Sequence, residues 1–277
     1  MGLVSRFIST PLSHWLKRPR LGRNIPLTDF ERIRHELKPG DVLLVEGRTR
    51  ISEVIKVVTQ SPWSHAALYV GRLHDIENEA VRAAVIHRSA FSPNTQLIIE
   101  SQLGTGTLVC ALTEYANHHL RICRPVGLSA DDAQTISAHA IKSLGRDYDV
   151  RQILDLARFL FPWGILPRRW RSSLFRQRAG TETRTVCSTM IAEAFAAVEF
   201  PILPLVQRNE QGRVRLYRRN PKLCTPSDFD YSPYFEIIKY PFYDFTDNPG
   251  YKLLPVSYTH LRAHETSLHL VCRLLLE

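Results

Sequence analysis

Short runs of apolar residues, separated by turn residues, dominate the first half of the chain and predict β-strands. The clearest run begins at His65, where Ala66, Leu68 and Val70 would share one face of an extended strand. Other apolar runs of similar length surround it. Together they predict strands at Asp41–Glu46, His65–Val70, Val81–His87, Gln96–Glu100, Thr107–Leu112 and Leu120–Arg124.

Apolar residues at helical spacing predict four helices, at Ile51–Thr59, Ala130–Leu144, Tyr148–Phe161 and Cys187–Glu199. The second has a capping pair in Ser129 and Asp132 and a stop signal in Gly145. The last ends before Pro201, which cannot continue a helix. Because several strands are followed by several helices, the pattern indicates an α+β domain.

Length and composition allow one full core with insertions, since the chain has 277 residues. The five cysteines form no Cys-x-x-Cys pair and leave an odd count. This argues against a disulfide framework or a zinc ribbon and favours a reducing, cytoplasmic compartment. Residues 27–254 are predicted to form the domain. Residues 255–277 resemble a translated sequencing-adapter tail and are expected to be non-native.

The chain has a net charge of +9, and two of its stretches combine Arg or Lys with Trp and Phe. Residues 1–26 read as a basic amphipathic segment interrupted by Pro11, and residues near 157–180 as an apolar and basic insertion. Both would suit an anionic membrane surface, so a peripheral place at the inner membrane is expected. A solvated basic face is the alternative for the insertion. A nucleic-acid surface is not expected, because no recognised motif accompanies the charge.

Three chemically capable residues lie in predicted elements far apart in the sequence. Cys187 begins a helix, where free backbone N–H groups and the positive end of the helix dipole favour a thiolate. His65 begins a strand and would act as the base, while Glu100 ends a strand and would orient it. Glu100 is unusual because an ionised carboxylate after three apolar residues is costly unless it is paired.

Each of these residues also has a structural interpretation. Cys187 could serve as a small buried apolar residue, and His65 could be a hydrogen-bonded core histidine. The three side chains could in principle bind a metal, but a Cys-His-Glu set is a less typical zinc site than a catalytic triad. The adjacent pair His118 and His119 cannot converge on one metal in a regular strand or helix. No metal and no cofactor is therefore expected.

The order of these motifs resembles the permuted branch of the NlpC-type papain-like superfamily, especially its YiiX/YebB-like hydrolases. The resemblance rests on His-Ala-Ala-Leu-Tyr-Val-Gly from His65, then Glu100 at a strand, then Cys187-Ser188 opening a helix. Unpermuted members have the Cys helix first. Further similar elements are Leu37-Lys-Pro-Gly-Asp, the Gly145-x-x-Tyr148 segment and Cys224-Thr-Pro. The resemblance implies a circularly permuted papain-like α+β fold, with an antiparallel sheet packed against helices.

The resemblance also implies the roles: Cys187 as nucleophile, His65 as base, Glu100 as orienting group and Tyr148 as an oxyanion or substrate-wall residue. Tyr148 could equally be a half-buried residue at a helix start. The expected activity is thiol hydrolysis of an amide or ester in a small peptide, a cell-wall fragment or an acylated amino acid or lipid. The alternatives are a catalytically silent lipid- or membrane-binding module of the same fold, and an acyltransferase. A basic nucleic-acid-binding domain is a third.

Overall fold

The computed structural model describes residues 27–88, 90–102, 105–148, 184–185, 187–208 and 213–241. The basic segment 1–26, the insertion near 157–180 and the tail 255–277 lie outside these residues, as does almost all of the helix predicted at Tyr148–Phe161. Among the helices in the described ranges, none combines the length and the apolar character needed to cross a membrane.

A six-stranded antiparallel sheet forms the centre of the fold, in the order β10-β5-β1-β2-β3-β4. Two pairs of short strands, β6 with β7 and β8 with β9, lie outside it. The strands are β1 Val42–Glu46, β2 His65–Gly71, β3 Leu97–Gln102, β4 Gly106–Ala111, β5 His119–Pro125, β6 Asp147–Tyr148, β7 Arg184–Thr185, β8 Leu205–Arg208, β9 Val214–Tyr217 and β10 Phe235–Ile238.

Helices occupy both faces of the sheet, and each is short enough to need tertiary packing for its stability. They are α1 Phe30–Glu36, α2 Arg50–Thr59, α3 Glu79–Arg88, α4 Ala130–Lys142, α5 Cys187–Ala197 and α6 Pro226–Tyr231. In the described ranges, three 3₁₀ turns lie at Leu73–Asp75, Leu112–Tyr115 and Pro221–Leu223. Ser129 caps α4 by accepting a hydrogen bond from the Asp132 N–H, as the capping pair predicts.

The sheet is buried on both faces because its central strands are apolar at nearly every position. The larger core lies between one face and helices α3, α4 and α5, with Phe195 at its centre. The second core lies on the other face and includes Ile33 of α1, Cys110 of β4 and Tyr115 of the second 3₁₀ turn. By the alternation of β3, Glu100 points toward this second core with Ile98.

Two local predictions differ from the structure. The strand expected at Val81–His87 is the helix α3, because Val81 and Val85, four residues apart, are the positions that enter the core. β3 does not end at Glu100 but continues to Gln102, so Glu100 lies within a paired strand opposite Leu108. The other central strands and the three remaining helices lie within a few residues of their predicted ranges where the chain is described.

Candidate active site

The first residue of β2 and the fourth of β3 bring an imidazole and a carboxylate together. The sheet order makes β2 and β3 neighbours, and the Nε2 atom of His65 forms a short hydrogen bond with Oε2 of Glu100. The Glu100 side chain is fully buried, whereas that of His65 is 18% exposed. The carboxylate is therefore held inside the protein, and the imidazole forms the boundary toward the surface.

Four side chains surround the Glu100 carboxylate with hydrogen-bond donors. Oε2 accepts from His65 and, through a second short bond, from the hydroxyl of Tyr115. Oε1 accepts from the amide of Gln102 at 2.8 Å and from the thiol of Cys110 at 3.1 Å. A buried ionised carboxylate is stable only when its oxygens are satisfied in this way.

These contacts decide the ionisation of Glu100. Burial alone would raise the pKa of its carboxyl group. The charge and hydrogen bond of His65, together with the hydrogen bonds of Tyr115 and Cys110, reverse that effect and lower the pKa of Glu100 to about 2. Glu100 is thus an anion at neutral pH, and it stabilises a positive charge on His65.

Cys187 is the first residue of α5 and is 5% exposed. Burial opposes its ionisation, but the charge and hydrogen bond of His65 outweigh burial and lower the pKa of the thiol. The backbone N–H groups of Ala66 and Ser188 act in the same direction by hydrogen bonding to the sulfur. The first turn of a helix leaves N–H groups free for such bonds.

His65 lies between the thiol and the carboxylate and hydrogen-bonds with both. Burial lowers the pKa of the imidazole, but the negative charges of Cys187 and Glu100 outweigh burial and raise it to about 10. Because Nε2 is bonded to Glu100, Nδ1 is the nitrogen that remains for Cys187. The arrangement favours a thiolate–imidazolium pair at neutral pH.

Neighbouring contacts fix the segments that carry these residues. Ser188 donates a hydrogen bond of 2.6 Å to the carbonyl of Cys224, which joins the first turn of α5 to the Thr-Pro segment before α6. Two residues before His65, the buried Trp63 donates its indole N–H to Asp230 at 3.2 Å. Arg121 lies 4.7 Å above the Trp63 ring and also binds Asp230.

The structure brings three of the four predicted site residues, Cys187, His65 and Glu100, into one hydrogen-bonded group. The fourth, Tyr148, lies in β6 and pairs with Thr185 of β7, two residues before Cys187. Its backbone is therefore strand rather than helix start, and its side chain lies outside the described part of the chain. The role of Tyr148 stays a prediction.

Sequence analysis missed the side chains that surround Glu100. Tyr115 and Gln102 have no local signal, since a single Tyr in a short turn and a Gln at a strand end are common surface residues. Only the pairing of β3 with β4 brings Cys110 and Gln102 to the carboxylate. The ring of Tyr115 also lies nearly parallel to that of His65, with 6.2 Å between centroids.

Comparison with known proteins gave a family and a solved structure. The family described as "Permuted papain-like amidase enzyme, YaeF/YiiX, C92 family" matches residues 36–158, a segment that contains His65 and Glu100 and ends before Cys187. The crystal structure of the Escherichia coli O157:H7 protein yiiX, titled a metalloprotein, is 16% identical. The match covers 73% of this chain and 97% of that one, with a TM-score of 0.44.

A search of curated proteins gave no match. In the described ranges, no group of three or more His, Cys, Asp or Glu side chains is arranged to hold a metal ion.

Proposed function

Residues 36–158 match the permuted papain-like amidase family, and from this match we propose that the chain hydrolyses an amide or ester through Cys187, His65 and Glu100. The predicted fold class and the predicted cysteine hydrolase are both confirmed by the family match. The closer relation to NlpC-type enzymes stays a prediction. The observation that most supports the triad is the hydrogen-bonded group in which His65 links a buried carboxylate to a thiol of lowered pKa.

In the proposed first step, the Cys187 thiolate attacks the substrate carbonyl carbon and forms a tetrahedral oxyanion. The collapse of this intermediate breaks the bond to the amine or alcohol, which takes the proton from Nδ1 of His65. The products are a thioester acyl-enzyme and neutral His65. Glu100 keeps the imidazole oriented throughout and stabilises its protonated form.

In the second step, a water molecule enters the place that the released amine or alcohol occupied. Neutral His65 accepts a proton from the water, whose oxygen attacks the thioester carbon. The carboxylic acid is released, and Cys187 leaves as a thiolate beside a newly protonated His65. The backbone N–H of Cys187, at the helix start, would stabilise the oxyanion of both steps, with Tyr148 as a further wall of the site.

The proposed substrate is a small peptide, a cell-wall fragment or an acylated amino acid or lipid. Transfer of the acyl group to an amine or alcohol is the related alternative. The residues around the nucleophile are Val186-Cys187-Ser188, which differ from the Asn-Cys-Glu-His-type motif of the related acyltransferase branch. This difference supports water as the acceptor.

Labelling with a thiol-reactive acyl probe tests the proposal. We expect the intact protein to form a stable adduct on Cys187, Cys187→Ala to form none, and His65→Ala to react far more slowly. Cys123→Ala is the matched control, since it removes another buried thiol, in β5, and it should be labelled like the intact protein. Equal labelling of intact protein and Cys187→Ala would refute the proposed nucleophile, and a lack of labelling in both would leave the silent binding module as the better hypothesis.

A further inference from the structure

The strands β8 and β9 form a two-stranded hairpin that is exposed along its whole length. Cross-strand pairing sets Val206 opposite Leu216 and Arg208 opposite Val214, so these four side chains share one face. The three aliphatic residues on it are between 54% and 62% exposed. An isolated hairpin is marginally stable in water, and a group of exposed aliphatic residues marks a surface that another molecule covers.

The charge around this face is positive. Residues 205–219 contain five Arg and one Glu, and one of the five, Arg219, pairs with Asp228 at 3.0 Å. Arg218 forms a 2.9 Å ion pair with Glu199, but both side chains are at least 70% exposed, so this pair contributes little. The hairpin therefore combines an aliphatic face with guanidinium groups that favour an anionic partner.

A cavity of about 250 Å³ lies beside the hairpin and continues its apolar surface inward. Leu216 belongs both to the aliphatic face and to the cavity wall. The other walls include Phe200 and Ile202, together with Ala192 of α5. An aliphatic chain lying against the hairpin would thus have a second apolar surface to contact.

We propose that the β8–β9 hairpin docks on an anionic lipid surface, with Val206, Val214 and Leu216 among the acyl chains and its Arg side chains at the phosphates. At the surface of an anionic bilayer, aliphatic acyl chains and anionic phosphates lie close together, so a single strand face can contact both. A second copy of the chain would bring an equally positive hairpin to this surface, and the two like charges would repel each other. A nucleic acid would find on this face no aromatic ring on which to stack its bases.

Vesicle co-sedimentation of the full chain tests the proposal, with phosphatidylcholine alone compared with a mixture containing phosphatidylglycerol. The triple variant Val206→Thr, Val214→Thr, Leu216→Thr places a β-branched residue that suits a strand at each position and should bind the mixed vesicles about tenfold more weakly. The control Ile86→Thr, Val126→Thr removes apolar groups that are 55% and 60% exposed elsewhere, and should bind like the parent. Turnover of a soluble ester should be equal in all three.

A second measurement reports on the hairpin itself. Backbone amides of β8 and β9 should exchange hydrogen with solvent more slowly when mixed vesicles are present than when only phosphatidylcholine vesicles are present. The variant Arg208→Gln, Arg215→Gln should lose that protection and about tenfold in binding at low salt. Unchanged exchange in β8 and β9 on mixed vesicles would overturn the proposal. The proposal would also be overturned if the triple variant bound mixed vesicles like the parent and instead lost binding to an oligonucleotide, to a protein partner or to a second copy of the chain.

Discussion

At the scale of single residues, the Glu100 carboxylate sets the charge state of the whole group. Its ionisation is stabilised by donors from three elements, β3, β4 and the 3₁₀ turn, in addition to His65. The resulting negative charge raises the pKa of His65, and the charge of His65 in turn lowers the pKa of Cys187. The ionisation of the thiol is therefore linked to a residue on the far side of the imidazole.

The first prediction concerns Cys187, whose pKa is lowered. Iodoacetamide should alkylate it well below pH 8.5, where an unperturbed thiol is mostly protonated. Burial raises the pKa of Cys110, Cys123 and Cys224, so these should react far more slowly. Peptide mapping of the alkylated protein against pH gives the rates, and Cys187→Ser is the control. Comparable rates at Cys110 would contradict the prediction.

The second prediction is that Glu100→Gln folds but loses turnover by about a hundredfold or more, since an uncharged partner no longer stabilises the imidazolium. The alkaline limb of kcat/KM should also move to lower pH. The reason is that Glu100 helps to raise the pKa of His65, so without it His65 loses its proton earlier. Glu46→Gln, which alters a partly exposed carboxylate paired with Lys56, should keep the parent profile. An unchanged profile in Glu100→Gln would remove Glu100 from the mechanism.

The third prediction assigns Tyr115 a positioning role. Tyr115→Phe keeps the ring beside His65 but removes the hydroxyl that donates to Glu100. Unfolding should become easier by about 2 kcal/mol, as for other hydrogen bonds to charged groups, and the alkaline limb of kcat/KM should shift. Tyr69→Phe is the matched control, because the hydroxyl of this buried residue accepts a hydrogen bond from Gln96 at 2.9 Å. Its loss should affect stability alone, and identical pH profiles in the two variants would refute the role.

At the scale of elements, the sequence predicted what depends on local periodicity. The strands β2 and β3 and the helix α5 have clear apolar patterns, and these are the elements that carry His65, Glu100 and Cys187. The strand prediction for Val81–His87 was wrong because its apolar residues also suit a helix that buries Val81 and Val85, four residues apart. The hairpin β8–β9 was missed because its strands are only four residues long and neither face packs into the core.

A partly buried ion cluster joins α1, β5 and the residue before β1, which are far apart in the sequence. Arg124 of β5 contacts Asp41, which precedes β1, at 2.9 Å and Glu36 of α1 at 2.6 Å. The Asp41 side chain is only 2% exposed. Burial raises the pKa of Asp41 despite the hydrogen bonds from Arg124, so its charge depends on that guanidinium. The cluster fixes α1 to the sheet on the face that also covers Glu100.

The fourth prediction is that Arg124→Met destabilises the fold by about 3–5 kcal/mol, because it leaves the buried Asp41 without its cation. Urea denaturation followed by circular dichroism measures the change. Arg34→Met is the matched control, since Arg34 pairs with Glu31 of the same helix at 3.2 Å and both side chains are exposed. That variant should stay within about 0.5 kcal/mol of the parent. Equal midpoints would show that the cluster contributes no net stability.

At the scale of the whole molecule, the positive charge is concentrated rather than spread. Residues 1–26 and 157–180 together contain eleven Arg and Lys and no Asp or Glu, which exceeds the net charge of +9. Both stretches also contain Trp and Phe, whereas the described core carries its charges in opposed pairs such as those of Arg124 and Lys56. A stretch with this composition adds favourable free energy at an anionic surface.

The fifth prediction follows from that distribution. Removing residues 1–23, which carry five of the basic residues, should weaken binding to anionic vesicles while sparing hydrolysis of a small soluble ester. Each lost charge near the surface contributes about 1 kcal/mol at low salt, so the decrease should disappear as ionic strength rises. Replacing Arg168, Arg169 and Arg171 by Gln should weaken binding further. Sedimentation with anionic and neutral vesicles measures both effects. Equal, negligible binding of the intact and truncated chains at low ionic strength would instead identify both stretches as solvated basic surfaces, and the hydrolase would then meet its substrate in solution.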